Sequence, residues 1–89
     1  MEYQIEIKQS CHDDIKKLCR KNPVLENSLK RKMEEIRVSP YHYKPLRHGL
    51  AGERRVHIMK SFVLKFEIDE PRKTITFSFF GHHDQAYQR

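Results

Sequence analysis

Arg55 and His57 stand two residues apart in the segment Arg54-Arg55-Val56-His57-Ile58. On a β-strand that spacing puts both side chains on one face, about 7 Å apart. A guanidinium and an imidazole so placed can bracket a single phosphate, one neutralising charge and the other moving a proton. Lys65 falls on the same face of the next alternating segment, and the tail GHHDQAY adds His82, His83 and Tyr87. Cleaving an RNA backbone without a metal requires a base for the 2′-hydroxyl proton, cations for the charge of the phosphorane, and an acid for the leaving 5′-oxygen. Histidine, lysine, arginine and tyrosine supply all three. Taken singly, His57 is also readable as an ordinary exposed strand residue. A metal held by His57, His82 and His83 fits less well, because adjacent histidines point different ways on an extended chain. No metal and no cofactor is expected. The sequence has no Gly-rich phosphate loop, no serine or cysteine nucleophile motif and no close pair of acids suited to glycoside chemistry.

Three short strands must carry these groups, over Arg54 to Ile58, Phe62 to Ile68 and Lys73 to Phe80. Val56 and Ile58, then Phe62, Leu64, Phe66 and Ile68, then Ile75, Phe77 and Phe79 alternate onto one face, leaving Arg55, His57, Lys65, Glu67 and Ser78 on the other. Tyr3, Ile5 and Ile7 predict a further strand with one buried face at the N-terminus. Ser10 offers an N-cap for a helix ending near Arg20, with Cys11, Ile15, Leu18 and Cys19 on its apolar side. Asn22 and Pro23 open a second helix, whose core face is Leu25, Leu29, Met33 and Ile36 and which Ser39 and Pro40 end. The loop from Tyr41 to Glu53 is rich in Tyr41, Tyr43, Lys44, Arg47 and His48, and Met59 to Ser61 reads as a hairpin turn. The expected fold is α+β, a small, mostly antiparallel curled sheet in the order β-α-α-β-β-β with a helical hairpin on one face.

Eighty-nine residues predict one domain, residues 1–89, with room for a single core. Eighteen Lys and Arg against twelve Asp and Glu give a net charge of +6, which favours a polyanionic or acidic partner. From 44 to 65, Lys44, Arg47, Arg54, Arg55, Lys60 and Lys65 face only Glu53. Cys11 and Cys19 lie about 12 Å apart on one helix, too far for a disulfide, so a reduced cytoplasmic protein is expected. No apolar run is long enough for a signal peptide or membrane span.

Three segments together resemble the RelE/ParE superfamily of bacterial and archaeal toxins, specifically its RelE-like mRNA interferases: KPLRHGLAGERRVHI, FVLKFEID and the closing GHHDQAY. Strand, helical hairpin and three strands is also the order of that family. The resemblance implies a toxin that enters the ribosomal decoding site, cuts messenger RNA by metal-independent 2′-hydroxyl attack, and is held inactive by a cognate antitoxin protein. By position, Arg55 and His57 match the family's paired basic residues and Tyr87 its tail aromatic. His83 stands where many members have arginine, and Val63 where the third strand usually carries another, so reduced activity is one expectation; Lys65 and His82 are candidates to compensate. The catalytic set implied is Arg55, His57, His83 and Tyr87, with Lys44, Arg47, Arg54, Lys65 and His82 on the RNA. Two alternatives stay open, a ParE-like gyrase inhibitor and a degenerate toxin that binds only antitoxin. ParE-like members generally lack the basic set. A plain RNA-binding module is less supported, since no RRM, KH or OB signature is present.

Overall fold

The computed structural model describes residues 2–43 and 53–86, apart from the side chains of residues 85 and 86. Four strands, β1 (Gln4–Ile7), β2 (Glu53–Ile58), β3 (Phe62–Asp69) and β4 (Thr74–His82), form one open sheet in the order β1-β4-β3-β2. β2, β3 and β4 are an antiparallel meander, whereas β1 pairs in parallel with β4. A parallel pair needs a long crossover, and here it is the helical hairpin of α1 (Gln9–Cys19) and α2 (Pro23–Val38). The sheet is therefore mixed, and the fold class is α+β.

Both helices cover one face, α1 lying on β4 and α2 reaching β2. Cys11 and Cys19 of α1, with Leu25, Leu29 and Ile36 of α2, pack against Ile58, Leu64, Phe66, Ile75, Phe77 and Phe80. Neither cysteine is in a disulfide. Asn22 caps α2 by accepting the Leu25 N–H at 3.1 Å, and Pro23 follows at the first turn. Helix α1 starts one residue before the expected cap: Lys8 stands at its N-cap without a side-chain bond, and Ser10 lies inside the helix. Instead, Gln9 Nε2 donates to Asp13 Oδ1 at 2.9 Å.

Two expectations about faces need correction. On β1, Ile5 and Ile7 stand opposite Ile75 and Phe77 but remain 37% and 36% exposed, because the helices lie over the middle of the sheet and leave its edge thinly covered. On β4, a bulge between Lys65 and Phe66 of its partner changes the phase: Lys65 pairs with Phe79, but Phe66 pairs with Phe77. Ser78 is the extra residue. Phe77 and Phe80 are consequently in the core, and Phe79 turns to the open face.

Candidate active site on the open face of the sheet

The strand register lays the functional residues out in rows. Arg55 pairs with Lys65, and Lys65 with Phe79. The next row is His57, Val63 and Gly81. Arg55 and His57 are both exposed on the face away from the helices, as their spacing predicts. Lys65 extends its ammonium over the Phe79 ring, 5.2 Å from the centroid, which holds the cation against the sheet.

After β4 the chain turns into a four-residue helix, α3 (His83–Ala86), which the sequence did not announce. The N–H of His83 donates to the Ser61 carbonyl at 2.7 Å, tying this helix to the β2–β3 turn. His83 then stacks on His57 with ring centroids 5.4 Å apart and planes 24° from parallel. Strands β2 and β4 are two strand spacings apart, about 9.6 Å, so the rings must lean together across β3. The residue between them in the row is Val63, which is 0% exposed although it lies on the face away from the helices. Gly81 has no Cβ to obstruct that approach. A carboxylate oxygen of Asp84 lies 3.8 Å from Nδ1 of His83.

A polar cleft of about 410 Å³ opens beside this stack, lined by His57, Lys60, Ser61, His82, His83 and Asp84. The two adjacent histidines do diverge: His82 leaves the His57 stack and lies on the Phe62 ring at 4.5 Å. Among the described residues no three metal-ligating side chains converge into a group able to hold an ion.

Arg54 is placed differently from its neighbour. It is half-buried, donates from Nη1 to the Tyr43 carbonyl at 2.6 Å, and lies over the Tyr41 ring at 5.1 Å. Its Nε is buried with no hydrogen-bond partner among the described residues. Tyr41 and Tyr3 both donate to Oε1 of Glu70, at 2.6 and 2.9 Å, and Lys73 bonds the other oxygen. Arg54 therefore serves the 3-10 turn Pro40–His42 and the adjoining Tyr43 rather than the open face. Lys44, Arg47 and Tyr87 lie outside the described residues.

Sequence reasoning missed one set of groups. Ser28, Arg31 and Lys32 of α2 line a second cleft with Glu35, His57, Ile58 and Met59. They fall outside the core face Leu25, Leu29, Met33 and Ile36 that the helical spacing marks, and nothing local in the sequence ties α2 to β2.

With this geometry in view, the comparisons place the chain. It belongs to the family described as the ParE toxin of type II toxin-antitoxin systems, whose model matches residues 5–87, and is thus a toxin of the RelE/ParE superfamily. A Methanocaldococcus jannaschii protein given the toxin name RelE4 is 46% identical over 87 residues, covering 98% of this chain and 93% of its own. A doubly substituted Escherichia coli RelE toxin in the free state superposes with a TM-score of 0.80 at 18% identity, covering 97% of this chain and 88% of that one. The E. coli DinJ–YafQ toxin-antitoxin complex gives a TM-score of 0.79 at 22% identity, covering 99% and 100%. At such identities the solved structures speak for the fold.

Proposed function

We propose that the chain is an mRNA interferase, an endoribonuclease acting on message in the cytoplasm, bound to the ribosome, and restrained by a cognate antitoxin. The observation that carries this reading is the stacked His57–His83 pair beside Arg55 on a face the helices leave open. Two imidazoles can divide the proton work, one taking the 2′-hydroxyl proton and the other delivering one to the 5′-oxygen. The 2′-oxygen then bonds to phosphorus as the P–O5′ bond breaks, leaving a 2′,3′-cyclic phosphate and a 5′-hydroxyl. Arg55 and Lys65 supply charge to the phosphorane oxygens. Tyr87 stays in the proposal as a base-stacking group on the strength of its sequence position. No step calls for a cofactor.

An antitoxin partner is supported by the family's description and by the YafQ toxin being solved with DinJ. The net charge of +6 favours an acidic segment in that partner.

The test is cleavage of ribosome-bound message by purified protein. Arg55→Ala should lower the rate by about two orders of magnitude, the scale for removing one transition-state donor. A second reading has one observation in its favour, since the matched family model is that of ParE toxins. If wild type leaves message intact and Arg55→Ala remains fully toxic, a gyrase-type target replaces RNA.

A further inference from the structure

His57 borders two clefts, and only the one beside His83 is used by the reaction proposed above. The other, about 350 Å³, runs between α2 and β2 and is of a size that accepts one small ligand or one nucleotide unit. Its lining is cationic in balance. Lys32 and Glu35 pair at 3.0 Å, and Tyr43 also donates to the Glu35 carboxylate at 3.3 Å, so that acid is engaged within the fold. The hydrogen bond from Lys32 holds the Glu35 carboxyl below the usual range. Arg31 makes no ion pair or hydrogen bond among the described residues; it lines the cleft, and its charge also acts on the Glu35 carboxylate.

The turn separating the two clefts is unusual. Met59 and Lys60 both occupy the left-handed region, with φ of 53° and 67°. Three residues, Met59 to Ser61, separate the paired Ile58 and Phe62, and positive φ in such a loop is ordinarily carried by Gly or Asn, so neither a methionine nor a lysine is suited to it. Such backbone persists where the surroundings or a function demand it. Here it places Met59, 47% exposed, in the α2 cleft and Lys60 in the histidine cleft.

We propose that the α2 cleft is a second nucleotide subsite, in which Arg31 contacts the phosphate next to the scissile one and Met59 packs on the adjoining base. The polynucleotide then crosses the β2–β3 turn with His57 at the crossing point. This inference rests on RNA being the substrate, and it names how the chain holds RNA on the side away from His83. A thioether offers a polarisable surface to a base, and a guanidinium offers donors to a phosphate.

The experiment uses the full chain and a single-stranded RNA of about twelve nucleotides, fully 2′-O-methylated so that it cannot be cleaved, a length within the usual span of one binding domain. Arg31→Ala should weaken binding about three- to tenfold and lower the slope of log K against log salt by about 0.7, the loss of one phosphate contact. Met59→Asn, which leaves Lys60 in place, should raise the melting temperature while weakening binding, a combination that a purely structural turn would not give. Equal binding and an equal salt slope for Arg31→Ala and wild type overturn the subsite, and so does a turn variant that binds as well as wild type. If Arg31→Ala weakens capture of a co-expressed antitoxin and leaves RNA binding intact, the cleft belongs to a protein partner and the proposal fails. Cleavage lost in Arg55→Ala but RNA binding unchanged in Arg31→Ala would remove the subsite alone. RNA binding that depends on Arg31 in a protein that cuts nothing would retain the subsite and remove the nuclease reading.

Discussion

His57 and His83, twenty-six positions apart in sequence, meet as a ring pair 5.4 Å between centroids over a buried valine. If the pair handles both protons of one reaction, the two residues act as a unit. His57→Ala and His83→Ala should each lower cleavage by about 10²-fold or more, and the double variant should lose little beyond the larger single loss. A double-mutant cycle on ribosome-bound message measures this, and additive losses would show that the rings work separately.

The same stack bears on how arginine can be tried at 63 and 83, the two positions where the resemblance implies one. Arginine at 63 has no room, since Val63 is fully covered; Val63→Arg should cost on the order of 3 kcal/mol or more, the scale of a buried unpaired charge. Urea denaturation reads that cost. Introducing both arginines at once is therefore not a fair test of reduced nuclease activity. His83→Arg is, because the His83 side chain is half exposed, and the variant should unfold at a urea concentration close to wild type.

Glu70 makes acid stability a local question. Hydrogen bonds from Lys73 first, then Tyr41 and Tyr3, pull its carboxyl from 4.5 down to about 2. A carboxylate with a depressed folded pKa stabilises fully above its unfolded value, and that contribution is lost as pH falls through the folded one. Glu70→Gln should thus melt lower than wild type at neutral pH, with the gap closing between about pH 4.5 and 2. Thermal melts across that range check it, and a gap independent of pH would refute it.

Burial pushes the Cys11 thiol up to about 11, with the nearby Asp14 charge adding to it. Since the thiolate is the reactive form, Cys11 should resist a maleimide near neutral pH until the protein unfolds. Mass spectrometry of labelled folded and urea-unfolded chains separates the cases. Rapid stoichiometric labelling of the folded form would contradict the buried placement.

Most of the sheet was legible because β2 and β3 alternate, Val63 apart, and Asn22-Pro23 marks α2 without ambiguity. The phase change in β4 was not, because Ile75, Phe77 and Phe79 fit period two as well as the observed arrangement does. Only the adjacency of Phe79 and Phe80 hinted that one ring must face outward. Arg55 and His57 were readable from spacing alone, while the His83 stack depends on a four-residue helix too short to leave a periodic signal. Arg54 looked like its neighbour in sequence, yet one step along a strand exchanges faces. The α2 cleft was hidden because it joins residues separated by the long loop.

One of the sheet's two interior strands, β4, is also the last of the described strands to be synthesised. β4 lies between β1 and β3, so Ile5 must wait for Ile75 before it finds its neighbour, and Leu64, which can pair with Val56 earlier, must wait for Phe80 to complete its row. Pairings so distant along the chain close slowly compared with helices. On the ribosome that makes it, a growing chain can form its helical hairpin early, but it cannot bring His57 and His83 together until residue 83 has been added and has left the tunnel. Production of the protein and assembly of its reactive face are thereby separated in time.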